Sequence, residues 1–224
     1  MTPEDVLNQA KEIDQARDSQ ESSPKRIWVF VGIFLVMIMV LYLFPYHWIN
    51  INPEPRNIPT TGQALAPDIA ENLTPPRKVL DLTDLINPND QKIKLTANKI
   101  VTASCDSNSV CYSKALYYFI RDNYDYVKDP IGVEYVEDPK EFLSAGGGDC
   151  ESGSIALAAL QEAIGTDAQL VLIANHAYVR IKLPEAPKTY KNNGWIYLDW
   201  TCKECDFGEI PWQNWEKSAQ YLEI

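Results

Sequence analysis

Residues 146–165 read GGGDCESGSIALAALQEAIG and have the strongest local pattern in the sequence. Three glycines and a short polar turn are followed by a run in which most positions are apolar. Such a run is typical of a helix that is buried on most of its surface, and Gly165 is a suitable residue to end it. The pattern therefore predicts that Cys150 lies at the amino end of a buried helix.

The predicted position of Cys150 gives its sulfur a chemical role. Free N–H groups and the positive end of the helix dipole favour a thiolate there, and the same N–H groups can donate to an oxyanion. Gly147, Gly148 and Asp149 precede it, and glycines let a substrate approach the backbone closely. A single cysteine is more often a small buried hydrophobe. The polar, glycine-rich flank favours a nucleophile here, with residues 147–149 lining the substrate cleft.

The rest of the domain predicts helices that pack on an antiparallel sheet. Residues 90–104 and 113–126 have helical apolar spacing, the second beginning with Ser113 as a plausible N-cap. Residues 168–175 form a continuous apolar run, whereas 176–183 and 195–201 alternate with period two around a turn-forming loop. The fold class expected from this order is α+β.

His176 and Asp199 complete a constellation with Cys150. Pairing of 176–183 with 195–201 through their loop places His176 opposite about residue 202, within reach of Asp199. A carboxylate beside a histidine fixes its tautomer and stabilises the imidazolium, and a histidine beside a helix-terminal cysteine activates the sulfur. Taken singly, His176 is also compatible with a surface histidine and Asp199 with a turn residue. Together the three predict a Cys-His-Asp triad.

These segments resemble the signature blocks of the transglutaminase-like superfamily of papain-type cysteine enzymes. The blocks are GGGDCESGSIALAALQEAIG, NHAYVRI and GWIYLDWT, with YDYVKDP as a lead-in about 20 residues before the cysteine. The resemblance implies a papain/transglutaminase-like fold in which Cys150 is the nucleophile, His176 the general base and Asp199 the residue that orients it. It implies no calcium and no other cofactor for so short a domain.

The chain departs from the family pattern in its tryptophans. Trp200 stands where the family often has a proline or a small residue. No tryptophan lies between Trp48 and Trp195, so the indole that helps form the oxyanion hole of true transglutaminases has no counterpart. The second oxyanion donor is unassigned, and protein cross-linking is disfavoured.

The amino-terminal part predicts a membrane anchor. Ile27–Phe44 is a run of 18 uncharged residues, and aromatic residues flank it. We expect residues 1–26 to be a cytoplasmic tail, 27–48 a transmembrane helix, 49–78 a proline-rich stalk and 79–224 the exported domain. The alternatives for the apolar run are a cleaved signal peptide and a buried core helix.

Four further cysteines lie in the domain, and disulfides are the simplest interpretation for an exported protein. Their pairing is open, because both local and crossed pairs fit the sequence. A structural zinc site made of the four thiolates is the main alternative, and a redox role for the last two is another. These residues are Cys105, Cys111, Cys202 and Cys205.

The net charge and the sequence motifs together restrict the classes of function that this protein can have. A net charge of -11 excludes a nucleic-acid partner held by phosphate neutralisation. We expect a microbial membrane-anchored cysteine hydrolase or acyltransferase that acts outside the membrane on a peptide or protein, such as one of the cell envelope. Hydrolysis is favoured over transpeptidation. The alternatives are a catalytically silent, tethered peptide-binding or assembly module and a thiol–disulfide protein that uses Cys202 and Cys205.

Overall fold

A computed structural model of the 224-residue chain describes residues 3–20, 24–70, 82–130, 132 and 135–224. The chain divides into two compact units, residues 1–50 and residues 51–224. The start of the predicted domain, at residues 79–81, lies outside the described residues.

The amino-terminal unit consists of helix α1, Pro3–Gln20, and helix α2, Pro24–Ile51. The side chains of residues 27–43 of α2 are exposed. Within the residues that the structure describes, no helix is both long enough and apolar enough to cross a membrane. The expected transmembrane helix at 27–48 is therefore not supported, and its residues 44–48 lie among those whose side chains are not described.

The second unit begins with the segment expected to be a stalk, and residues 52–69 instead pack on the domain. The Arg56 N–H donates to the Ser104 carbonyl at 2.9 Å, and the Ala66 N–H donates to Thr96 Oγ1 at 3.1 Å. Small and branched apolar side chains between the prolines are buried, which an extended stalk would not allow; these are Ala64, Ala66 and Ile69. Residues 71–78 of the expected stalk lie outside the described residues.

Two helices, α4 and α5, form one side of the core, after the short α3, Thr61–Ala64. Helix α4 is Gln91–Ser104, as the sequence predicted, with Asp90 as its N-cap. Helix α5 is Ser109–Asn123, which begins four residues before the expected Ser113 because the Asn108 side chain caps it. Ser113 lies inside the helix, fully buried. The helix ends early because residues 125–126 form a strand.

Helix α7, Cys150–Ala163, is the central element of the core. Its residues Ile155–Leu160 are completely buried, as the apolar run predicted. The sequence did not predict α6, Pro139–Ala145, which Asp138 caps, or α8, Trp212–Trp215. Helix α7 packs on α4, α5 and α6 and on two strands of the sheet.

The main sheet has four antiparallel strands in the order β5-β4-β3-β6. Strand β3 is Asp167–Ile173, β4 is His176–Lys182, β5 is Ile196–Leu198 and β6 is Gln220–Glu223. Strands β3 and β4 confirm the predicted strands, β5 is shorter than the expected 195–201 and ends before Asp199, and β6 was not predicted. A separate parallel pair joins β1, Asp125–Tyr126, to β2, Gly147–Gly148. The expected mixture of helices and antiparallel sheet is confirmed.

Candidate active site

Cys150 is the first residue of α7, where the sequence placed it. The Asp149 side chain caps the helix by accepting from the Ser152 N–H at 2.8 Å. The Cys150 side chain is partly exposed, and among the described cysteines it alone is free. Cys150 is therefore partly exposed at the amino end of a buried helix, where the dipole favours a negative charge.

The sheet brings His176 to Asp199. Strand β4 begins with His176, and its antiparallel register with β5 pairs Val179 with Leu198. His176 therefore comes opposite residue 201, within two residues of the expected position. His176 Nε2 lies 2.8 Å from Asp199 Oδ2.

Asp199 is held rigidly for this contact. Its side chain is completely buried. The Thr201 N–H and hydroxyl donate to Asp199 Oδ1 at 3.2 and 2.7 Å, which leaves Oδ2 for the histidine. Because both carboxylate oxygens have donors, the orientation of the carboxylate is fixed.

The Cys150 side chain is close enough to His176 to contribute to its pKa. Nε2 faces Asp199, which leaves Nδ1 as the ring nitrogen available to the sulfur. Burial lowers the pKa of His176, but the hydrogen bond and charge of Asp199 and the interaction with Cys150 raise it by more, to about 9. The ring thus bridges the cysteine and the carboxylate, and the site stabilises its protonated form.

The residues expected to line a substrate cleft each have a local structural role. A side chain at Gly147 would meet the Asp125 carbonyl, and one at Gly148 would lie 2.6 Å from Glu137 Oε2. Asp149 is the N-cap of α7. Neighbouring residues leave no room for a side chain at 147 or 148, which explains the two glycines. Contact of these residues with substrate stays a prediction.

Trp200 has a position in the site that the sequence did not reveal. Its indole is completely buried and lies directly beside Gly153, and Nε1–H donates to the Cys150 carbonyl at 3.3 Å. Trp200 therefore connects the chain that carries Asp199 to the helix that carries Cys150. A glycine inside an otherwise apolar helix indicates close approach of another group, and Gly153 was that signal.

The other four cysteines form two local disulfides, Cys105–Cys111 and Cys202–Cys205. The sequence had left the pairing open. In this bonded form the four sulfurs supply no thiolate to a zinc ion. In the described part of the chain, no group of three or more histidine, cysteine or acidic side chains is arranged to hold a metal.

The second disulfide is connected to the site through Tyr117. The Tyr117 hydroxyl lies 3.0 Å from the Cys205 carbonyl and 3.3 Å from the Asp199 carbonyl. Arg121 donates to the Cys205 carbonyl at 2.7 Å. The disulfide loop and the backbone of Asp199 thus share one buried hydroxyl.

Comparison with known families agrees with the sequence blocks. The family described as the transglutaminase-like superfamily matches residues 95–200, which include Cys150, His176 and Asp199. This part of the chain is therefore similar to the transglutaminase-like superfamily. No curated protein is similar enough in sequence to match.

Three solved structures are similar to parts of the chain. A provisional cysteine protease from Cytophaga hutchinsonii has a TM-score of 0.39 and 17% identity, with 62% of this chain and 46% of that chain covered. Legionella pneumophila LapG has a TM-score of 0.37 and 17% identity, with 58% and 77% covered. EGTA-treated LapG gives 0.38 and 16%, with 58% and 75% covered. The chain spans less than half the length of the first of these proteins.

Proposed function

We propose that this protein is a cysteine enzyme that cleaves an amide bond through an acyl intermediate on Cys150. The observation that supports the proposal is the His176 imidazole, whose Nε2 lies 2.8 Å from Asp199 Oδ2 and whose pKa is raised by both Asp199 and Cys150. An imidazole held between a carboxylate and a thiol can take the thiol proton and return it to a leaving group.

The proposed reaction has two halves. The Cys150 thiolate attacks the carbonyl carbon, and the tetrahedral oxyanion accepts a hydrogen bond from the Cys150 N–H. The C–N bond breaks as the His176 imidazolium donates its proton to the departing amine, which leaves a thioester. Water then attacks the thioester with His176 as base, releasing the carboxylic acid and the free thiol. An amine in place of water would give transpeptidation, and we favour hydrolysis because water needs no dedicated site.

The proposed substrate is a peptide or protein, and we propose that the enzyme acts on it outside a membrane. The run of uncharged residues Ile27–Phe44 and the exposed apolar side chains of residues 27–43 support an anchor. The basic residues before the run support a cytoplasmic amino terminus. Alkaline carbonate extraction of membranes tests the anchor: we expect the full chain in the pellet, and its release into the supernatant would contradict an anchor.

The activity is tested with a library of fluorogenic peptide amides. Wild-type protein should release the fluorescent amine, and Cys150→Ser should release none, because a serine hydroxyl beside this imidazole is a far weaker nucleophile. Lys188→Ala replaces an exposed side chain in a surface turn, and it controls for effects of purification and folding on the measured activity. Binding of peptides by wild-type protein without cleavage of any would contradict the proposal and favour a tethered peptide-binding module.

A further inference from the structure

Strand β1, Asp125–Tyr126, lies beside the residues that lead into Cys150 and is paired along one edge. The Asp125 N–H donates to the Gly146 carbonyl at 3.2 Å, and the Val127 N–H donates to the Gly148 carbonyl at 2.8 Å. Alternate residues of a strand direct their main-chain groups to the same side. Residues 125 and 127 therefore face β2, and the N–H and C=O of Tyr126 face away from it.

The outward edge at Tyr126 is open. In the part of the chain that the structure describes, no residue pairs with the main chain of Tyr126 on that side. The side chains beside it are also uncovered, since Tyr126 is 49% exposed and Val127 is 57% exposed. An exposed strand edge with unpaired main-chain groups is a template for pairing with another extended chain.

Tyr126 lies beside the segment that leads into the proposed nucleophile. Tyr126 is in register with Gly148, two residues before Cys150. Partial burial raises the pKa of the Tyr126 phenol, and so do the nearby charges of Cys150 and Asp149. The phenol of Tyr126 is thus close enough to the Cys150 side chain for the two to interact electrostatically.

We propose that β1 is the substrate-binding strand, and that an extended peptide adds to its open edge by pairing with the main chain of Tyr126. This inference rests on the proposed function and names its substrate class. The enzyme would recognise the peptide main chain of an extended, unfolded segment, with Tyr126 and Val127 contacting its side chains. An amide at the end of a side chain, or one inside a folded domain, offers no strand for this pairing.

Of the two residues of β1, only Tyr126 has its main-chain groups on the open edge. Replacing the one substrate N–H that pairs with the Tyr126 carbonyl should therefore remove a single hydrogen bond.

The test compares a peptide reagent with a small one on the full chain. Acetyl-tetraalanyl chloromethyl ketone carries a peptide main chain and iodoacetamide does not, and intact-mass spectrometry gives the alkylation rate of Cys150 for each. Tyr126→Pro removes the outward N–H and no hydrogen bond to β2. We expect the ratio of the ketone rate to the iodoacetamide rate to fall about tenfold in Tyr126→Pro, the effect of one lost hydrogen bond.

A substrate-side change keeps the inference testable if Tyr126→Pro does not fold. N-methylation of the ketone's amides, one at a time, should lower the wild-type rate at the one position whose N–H donates to the Tyr126 carbonyl. Tyr221→Ala, which removes another exposed strand tyrosine, should leave the ratio unchanged.

Two outcomes would overturn the inference, and they are distinguishable. Equal loss of both rates in Tyr126→Pro, or indifference to every N-methyl group, would contradict pairing with β1 while leaving the proposed function standing. Failure of both reagents to alkylate Cys150 would contradict the proposed function, and the inference with it.

Discussion

The indole of Trp200 fills the space beside Gly153 that any other side chain at that position would need. Gly153 lies one turn after Cys150 in α7, and Trp200 directly follows Asp199. The same indole donates its N–H to the Cys150 carbonyl at 3.3 Å. The contact between Trp200 and Gly153 therefore holds the helix that begins with Cys150 against the segment that contains Asp199.

Gly153→Ala should destabilise the protein because its methyl group would overlap the indole. Overpacking of a well-packed core costs about 1–3 kcal/mol, and a change of 1 kcal/mol shifts Tm by about 2–4 °C in a domain of this size. We expect Tm, measured by circular dichroism, to fall by roughly 4–8 °C. Gly62→Ala is the matched control, because a Cβ at Gly62 meets nothing within 4 Å.

The cause of that loss can be separated from any effect on helix propensity. Adding Trp200→Leu to Gly153→Ala removes the overlap, so the double variant should be less destabilised than the sum of the two single changes. If the losses in stability were additive, overlap with the indole would not be the reason why Gly153→Ala destabilises the protein.

Asp199→Asn should lower the pKa of His176 from about 9 toward its ordinary value of 6.5, because the amide carries no charge to stabilise the imidazolium. Amide cleavage should fall by a factor on the order of 10³ to 10⁴, as it does when the carboxylate of a comparable triad is replaced. Titration of the His176 imidazole by NMR and assay of the same sample check both. Thr201→Val, which removes one donor from Asp199 Oδ1, should give a smaller shift.

Stability should depend on pH through His176. Its pKa is about 9 in the folded protein and near 6.5 when unfolded, so folding favours the protonated ring. The contribution is fully present below pH 6.5 and is lost as the pH rises toward 9. Urea unfolding should show a free energy of unfolding that declines across this window. In His176→Gln the decline should be smaller, and an equal decline would contradict this assignment.

The two disulfides should differ in what they do for the site. Closing such short loops contributes about 2 kcal/mol each in the chain-entropy model. The double substitution Cys202→Ala with Cys205→Ala should therefore cost similar stability to Cys105→Ala with Cys111→Ala. Only the first should also slow amide cleavage, because Tyr117 joins the Cys205 carbonyl to the Asp199 carbonyl. Equal slowing by both pairs would contradict this connection.

The site residues that lie in or next to a strongly periodic helix or strand pattern could be predicted from the sequence. The apolar run after Cys150 placed that residue at a helix start, and strand alternation placed His176 near Asp199 through the register alone. Both rest on local patterns that tertiary packing reinforced. The α+β class followed from the same patterns.

The failures have a different physical origin. Both Asn108 and Ser113 are residue types that cap helices, and the sequence did not show which of them begins α5. The structure shows that Asn108 does, through hydrogen bonds to its side chain. The packing of residues 52–69 depends on contacts with α4 and α5 that are distant in sequence, whereas their prolines indicate only a stiff chain. The indole of Trp200 beside Gly153 is likewise a contact across 47 residues, which no local pattern contains.

The most direct test of the central claim is the rate of alkylation of Cys150 by iodoacetamide at pH 7, in wild-type protein and in His176→Ala. The claim is that His176 activates Cys150, so the rate should fall at least about tenfold when the imidazolium is removed. His47→Ala, which replaces the other histidine of the chain, is the control and should react at the wild-type rate. Alkylation of His176→Ala at the wild-type rate would contradict the activation of Cys150 by this histidine.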